Sequence, residues 1–512
     1  MTPLLFIGAA IALAIIYTLK EAFFKPGISS IPGPFIAKFT SYFRRLYVVW
    51  KGKVGEDIRD LHAKYGPVVR TGPNTIDIAD AKATDLILGI KHDFPKHEGT
   101  MKTWWSYQDG THIPSIVSAT DKKEHGLLRR PVAQAYSMTS IVGLEPYVDE
   151  TIAYFVKRLD EEFISRRKPC DIDNWFPYFA YDAVGEISFS RRLGFLQAGG
   201  DADGVLADLR SEMDYRAIVQ NVPWIDWWLR RNPVILRLRR FTSRFAQRAA
   251  VLIQDRMKNG KPDPNRQDLL SHFVKAQAAH PDVVTKGVLA SYTMTPLVAG
   301  SDTTSVVLRS ALYRILRHPR VLERLRKEFQ DKEIQFPPTW KQVQSLHYLD
   351  AVMTESLRLT PATSMSLERV VSGQDMQLPD NGPRIPAGTI VGISYGVSAL
   401  DKTIFGEDAS EFRPERWMQA EDESEEGFAA RLSAMKHADI GFGYGTRVCM
   451  GKNIAKMEMY KVIPTLFQLF DMEFVQPEKN WRIESRFFNR QYDINIWIRW
   501  REGMSLNTLV EA

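Results

Sequence analysis

A glycine-rich loop runs directly into a helical stretch at Phe442-Gly443-Tyr444-Gly445-Thr446-Arg447-Val448-Cys449-Met450-Gly451. No other segment constrains the fold so tightly. Cys449 is one of only two cysteines in 512 residues, and it stands where the loop ends and a periodic apolar run, Met450 to Phe470, begins. A thiol at a helix N-terminus faces free backbone N–H groups and the positive end of the helix dipole. Both favour the thiolate, the form that ligates a soft metal. Gly443, Gly445 and Gly451 remove side chains where a flat cofactor would lie against the backbone. Arg447, two residues before the thiol, offers its guanidinium to an acidic group at such a cofactor's edge. Two cysteines cannot build a disulfide framework, so Cys170 reads as structural.

The next constraint is a long helix expected over His280 to Leu316, interrupted by Pro296. At ~1.5 Å per residue it spans about 50 Å, the width of a large domain. Its middle reads Ala299-Gly300-Ser301-Asp302-Thr303-Thr304. A glycine, an acid and successive hydroxyls are poor choices for a core helix. Threonine can bond the carbonyl four residues back and open the helix locally. A patch that breaks the local rules is where function is expected. A further helix, His347 to Thr360, places Glu355 and Arg358 on one face at i, i+3, and His125 and Arg129 share a face at i, i+4.

At the N-terminus, Thr2 to Leu19 carries no charged side chain, and Lys20 and Lys25 follow it. The charge order is wrong for a cleaved signal peptide. The expectation is a membrane anchor over 1–20, with the rest of the chain cytosolic by the positive-inside rule. Ile31-Pro32-Gly33-Pro34 then breaks any helix, giving a hinge over 21–35. The chain's net charge is +6, from scattered Lys and Arg. That argues against a nucleic-acid protein and suits an acidic electron donor or anionic lipid. Trp224, Trp227 and Trp228 beside Arg230 and Arg231 suit a membrane interface or the packing of a channel roof. Trp104, Trp105, Tyr107 and Ile113 form an aromatic-rich loop.

Phe-x-x-Gly-x-Arg-x-Cys-x-Gly is the haem-binding signature of cytochrome P450s, and every position is matched between Phe442 and Gly451. The patch in the long helix resembles that family's oxygen-activation motif. Glu355 with Arg358, and Phe412-Arg413-Pro414-Glu415-Arg416-Trp417, resemble its two structural motifs, and the Pro/Gly hinge resembles that of the microsomal members. The resemblance is to a microsomal, E-class fungal P450, with the branch that includes pisatin demethylase the most similar through Ala135-Tyr136-Ser137 and Pro223-Trp224.

It implies a mainly α fold with small β-sheets (α+β), in one haem-thiolate domain over 36–512 behind the anchor and hinge. Cys449 is then the axial ligand of the iron of haem b. Phe442, Gly443, Arg447 and Gly451 surround the haem, and Gly300 makes room for the ligand. His125 and Arg129, with His125 where the family often has Trp, and Arg369 reach the propionates. Thr303 hydrogen-bonds the oxygen, and Asp302 relays protons. Arg416 joins Glu355 and Arg358 in a buried charge network.

The implied function is insertion of one oxygen atom of O2 into an apolar small molecule in fungal secondary metabolism. Electrons come from NADPH through a P450 reductase, with cytochrome b5 a second donor. Lys452, Lys456 and Lys461 are candidate docking residues. Phe487, Phe488 and Pro361 to Leu367 are expected to line the cavity. The implied location is the endoplasmic reticulum membrane, single-pass. The alternatives are a P450 isomerase or dehydratase that does not use oxygen, and a non-catalytic haem sensor or carrier. The intact Asp302-Thr303 pair argues against the first, and substrate-dependent NADPH use separates the second.

Overall fold

Apolar residues recur every three to four positions over most of the chain, and alternation is confined to short runs, so helices dominate and strands stay short. The computed structural model describes residues 6, 12, 13, 16, 17, 19–92, 94–108, 111–232, 234, 235, 244–261 and 265–506. Seven helices carry the site: α1 (Lys122–Arg129), α2 (Glu145–Leu159), α3 (Ile172–Phe189), α4 (Val205–Val219), α5 (Lys286–Arg317), α6 (His347–Leu359) and α7 (Lys452–Leu469).

Nine strands matter: β1 (Val68–Gly72), β2 (Thr75–Ile78), β3 (Cys170–Asp171), β4 (Leu367–Val370), β5 (Ile390–Ile393), β6 (Phe470–Phe474), β7 (Arg482–Ser485), β8 (Asn489–Tyr492) and β9 (Asn495–Trp500). The largest sheet has the order β1-β2-β5-β4, with β2 and β5 parallel (Ile76 opposite Val391) and the outer pairs antiparallel. A second sheet runs β6-β9-β3, and β7 and β8 form a hairpin.

The long helix starts later than expected. Pro281 stops the preceding helix, whose C-cap is His280, and Thr285 caps α5 by accepting from the Val288 amide. Its 32 residues span about 48 Å at ~1.5 Å each. The helix stays continuous through 299–305, where local opening was expected. Thr303, Thr304 and Ser305 donate to the carbonyls of Ala299, Gly300 and Ser301 at 2.7, 2.8 and 2.6 Å without breaking it.

α3 is buried on nearly every face, Asp182 and Glu186 included, and packs along α5. A Cβ on Gly300 would fall 2.7 Å from Val184 Cγ2, so this glycine lets α3 approach. The space its missing side chain leaves is therefore taken by Val184, and the expectation that it clears room for a ligand is corrected.

The 21–35 segment, the expected hinge, is tied to the first sheet. The Arg70 amide donates to Pro32 O at 2.8 Å, and the buried Arg70 guanidinium donates to Ala22 O at 2.9 Å and Pro73 O at 2.8 Å. The expected anchor over 1–20 lies mostly outside the described residues. Among the described residues no helix is long and apolar enough to cross a membrane.

Candidate functional site

The cysteine loop folds by its own backbone. The Cys449 amide donates to Phe442 O at 2.8 Å, and the Gly443 amide to Ile440 O at 2.7 Å. Gly443 and Gly445 have φ of 79° and 64°, a region that favours glycine. A Cβ on Gly445 would fall 2.2 Å from Leu88 O. These two glycines thus serve the loop's own path. Gly451 caps α7, which begins at Lys452 rather than Met450.

The Cys449 thiol is accessible at the loop's end, whereas Cys170 is fully buried. Burial raises the Cys449 pKa, against the amides of Gly451 and Lys452 and the charges of Arg129 and Lys452, which lower it. The expectation of a lowered value is corrected: in the protein alone, shelter by the loop outweighs the helix end. A coordinated metal deprotonates such a thiol outright. Cys170 is pushed well above the ordinary thiol range by burial, as an inert core thiol should be.

A set of basic side chains gathers on the loop and on the segments it touches. Arg129 donates to Val448 O at 2.8 Å and Thr446 O at 3.2 Å, next to Cys449. Arg447 donates to Ala119 O and Thr120 O at 2.7 and 2.6 Å, which ties the loop to the segment before α1. His125 and Arg369 are buried. Lys96 donates to Val117 O at 2.6 Å. Burial, then Arg447 and Arg369, hold Lys96 down at about 7. His125 is held at about 4 by burial and then by Arg447, Lys96, Arg129 and Arg369. Arg369 is lowered to about 10 by burial and Arg447.

Among the described residues, Lys96, His125, Arg129 and Arg369 make no ion pair with a carboxylate. Charges drawn out of water are ordinarily paired; with His125 and Arg369 buried and Lys96 and Arg129 half-buried, this cluster fits a ligand that carries its own anions. A haem, with two carboxylates at one edge and an iron for Cys449, fits the donor set. Lys96 had no sequence signal: it sits in a loop without periodicity, and only the fold brings it to His125.

The opposite feature is α5. Ala299 is exposed and Thr303 half-exposed one turn apart, while Ser301, Asp302, Thr304 and Ser305 are buried. One narrow stripe therefore faces open space. Asp302 meets Arg490 of β8, with Nη2 3.4 Å from Oδ2. Behind the stripe, Glu458 of α7 is fully buried with neither carboxylate oxygen partnered at hydrogen-bond geometry. Burial raises its pKa well above the usual range, against a contact with Thr304 that lowers it. Neither Arg490 nor Glu458 belonged to a recognisable motif.

The structural charge network is closed. Glu355 accepts from Arg358 at 2.7 and 2.8 Å, from Arg416 Nε at 2.8 Å and from Trp417 Nε1 at 2.8 Å. All three charged groups are buried. The Trp104 and Phe487 rings lie 5.1 Å apart, and Phe487 meets Phe488 at 4.9 Å. Trp105 packs on His112 at 4.2 Å, and Ile113 abuts Gly287 of α5. Trp224, Trp227 and Trp228 are exposed rather than packed inside. Lys461 is fully buried against Glu145 and Asp149, so its expected place among surface docking residues is corrected.

The sequence profile described as Cytochrome P450 matches residues 32–496. The chain is 36% identical to the cytochrome P450 monooxygenase vrtE of Penicillium aethiopicum, over 98% of this chain and 96% of that protein. It is 34% identical to the cytochrome P450 monooxygenase cfoH of Aspergillus candidus, over 98% and 94%. It is 33% identical to the cytochrome P450 monooxygenase cicH of Emericella nidulans, over 93% and 95%. These relatives carry the fungal kinship and leave the narrower pisatin demethylase branch undecided. With a profile spanning most of the chain and relatives matched over nearly their whole length, this chain belongs to the cytochrome P450 family.

Proposed function

We propose that the protein is a haem-thiolate monooxygenase that inserts one oxygen atom of O2 into an apolar small molecule of fungal secondary metabolism. The observation that carries the reading is the exposed Cys449 with Arg129 bonded to the carbonyl before it, and Lys96, His125 and Arg369 grouped with Arg129 and, among the described residues, without carboxylate ion pairs. Haem, when bound, supplies the electron-transfer and oxygen chemistry. The protein's own residues do the rest. Cys449 ligates the iron as a thiolate. Arg129, Arg369, Lys96 and His125 hold the two haem carboxylates, and Phe442 pins the Cys449 amide. Thr303 is half-exposed on α5 with its proton on Ala299 O, so its oxygen is free to accept a hydrogen bond. Asp302, one residue earlier, is the nearest acid on α5 to move a proton toward it. Trp104, Phe487 and Phe488 provide an apolar aromatic wall that excludes water and orients an apolar substrate.

An NADPH-dependent reductase, with cytochrome b5 as a second donor, supplies the electrons. Lys452 and Lys456, half-exposed beyond the cysteine loop, are its candidate contacts. The reading also includes an N-terminal anchor in the endoplasmic reticulum membrane with the rest of the chain cytosolic. Two features favour it: the uncharged run 2–19, and the apolar surface near the chain's start. Phe35 and Trp50 are exposed there, and Phe39 and Tyr42 share a cleft with Pro223, next to the exposed tryptophans. Trp and Tyr favour that interface.

The test is the absorbance difference of the reduced protein with and without carbon monoxide. A strongly red-shifted Soret band, lost in a folded Cys449→Ala variant, supports the reading. A band at the position of histidine-ligated haem, or no haem band, overturns it.

A further inference from the structure

The acid of α5 is not isolated. Arg490 of β8 is buried and lies between two carboxylates on different elements. Its Nη2 is 3.4 Å from Asp302 Oδ2, and its Nη1 is 3.0 Å from Asp214 Oδ1 on α4. Asp214 Oδ2 then accepts from Arg486 Nη1 at 3.0 Å, and Arg486 Nη2 is 2.7 Å from Glu484. Side-chain exposure rises outward along this chain: 6% at Asp302, 9% at Arg490, 23% at Asp214 and 30% at Arg486. The hairpin is fixed to α5 one turn further on, where Gln491 Nε2 donates to Val306 O at 3.1 Å. α4 is itself tied to the aromatic loop, since Arg216 donates to Thr103 O at 2.6 Å. One cation thus joins the acid beside Thr303, the terminal hairpin and the helix over the aromatic wall.

We propose that Arg490 is a positioning residue that orients Asp302 for proton delivery and couples that orientation, through Asp214, to the placement of α4. Arginine keeps its proton, so it acts by geometry and charge and not as a relay. Its two contacts compete for one guanidinium. The shorter bond to Asp214 keeps Arg490 from closing fully on Asp302, and the longer one stops the Asp302 carboxylate from turning away. A shift of α4 changes the first bond and therefore the second. This role rests on the monooxygenase reading.

The test needs no substrate. Loaded with haem and supplied by an NADPH-dependent reductase, the protein reduces O2 by one of two routes. Peroxide release follows O2 + NADPH + H+ → H2O2 + NADP+. Full reduction follows O2 + 2 NADPH + 2 H+ → 2 H2O + 2 NADP+ and depends on ordered protons. The readouts are NADPH used per O2, the peroxide yield and the solvent isotope effect on NADPH oxidation. Arg490→Gln is expected to shift the ratio toward one NADPH per O2 and to change the isotope effect. Arg490→Lys, which keeps the charge, is expected to restore most of the wild-type ratio. Asp214→Asn should shift the ratio the same way, and Asp214→Asn with Arg490→Gln should go no further than Arg490→Gln alone, because contacting residues are not additive.

The proposal is overturned if Arg490→Gln keeps the wild-type ratio and isotope effect with a normal carbon monoxide band and circular dichroism. Additive effects of the two substitutions overturn the coupling. A wild-type protein with the band but no O2 uptake overturns the monooxygenase reading and this role with it.

Discussion

Replacing Glu355 with alanine should unseat the cysteine loop, and the structure sets the scale. The Glu355 carboxylate takes two bonds from Arg358, one from Arg416, one from the Trp417 indole and one from the Arg413 amide at 3.2 Å. Removing one partner of a buried ion pair costs ~3–5 kcal/mol because the other charge is stranded. Here neither guanidinium is left bare. Arg358 keeps Ala399 O and Ala409 O at 2.5 and 2.7 Å, and Arg416 keeps Asp408 O at 2.9 Å and Asp408 Oδ1 at 3.2 Å. The stranded-charge cost therefore falls at the low end, ~3 kcal/mol. The indole N–H without its acceptor adds ~1 kcal/mol. A total of about 4 kcal/mol is roughly three powers of ten in the folding constant. Glu355→Gln keeps the shape and an acceptor but loses the charge, and should cost about half as much. The assay is urea unfolding of the haem-loaded protein, followed by far-ultraviolet circular dichroism and by the carbon monoxide band. The two signals should fall together, since the network joins α6 to the 399–417 segment ahead of the loop. A Glu355→Ala protein within about 0.5 kcal/mol of wild type would refute the reasoning, because that is the scale of surface substitutions.

Two other titratable groups give separate pH signatures. Glu458 keeps its proton in the fold while the unfolded chain releases it above about 4.5, so the raised pKa costs stability as pH rises past that value. Glu458→Gln should match wild type near pH 4 and become the more stable protein above pH 5 in denaturant midpoints; parallel pH profiles would contradict this. Lys96, at about 7 in the protein alone against an ordinary 10.5, should regain its proton when two haem carboxylates arrive. Calorimetry of haem binding at pH 8.5 in buffers of different ionisation enthalpy should show about one more proton taken up by the wild type than by Lys96→Met, since the proton that Cys449 releases is common to both; equal proton counts would remove Lys96 from the cofactor's edge.

What was legible in the sequence was local. The cysteine loop, the hydroxyl patch of α5 and the Glu355–Arg358 pair each lie within ten consecutive residues, where spacing alone sets geometry. What was not legible depended on which neighbour the fold supplies. A small residue at 300 reads the same whether a ligand or another helix fills the space, and only packing shows Val184 there. The thiol's helix end was readable, but the shelter that reverses its shift was not. Lys461 did carry a usable signal. Lys452 and Lys456 are one turn apart, whereas Lys461 lies about 140° further round at ~100° per residue. It points at α2, where Glu145 and Asp149 receive it.

The Glu355 cluster and the Lys96 cluster differ in one respect that separates scaffold from site. At Glu355 both cations meet a carboxylate and backbone carbonyls from the same chain, so the cluster is complete without any ligand. At Lys96, Arg129 and Arg369 the charges meet carbonyls, and together they depress their neighbour His125. Like charges held together are destabilising until an anion arrives, so this cluster stores part of the affinity for whatever brings two negative charges to Cys449. The same logic applies to Arg490, which the chain supplies with two carboxylates where one would satisfy it. A cation with a surplus of partners can shift between them, while one with a deficit waits for a ligand. The first property suits a coupling element and the second a binding site, and the fold places them at α5 and at the cysteine loop respectively.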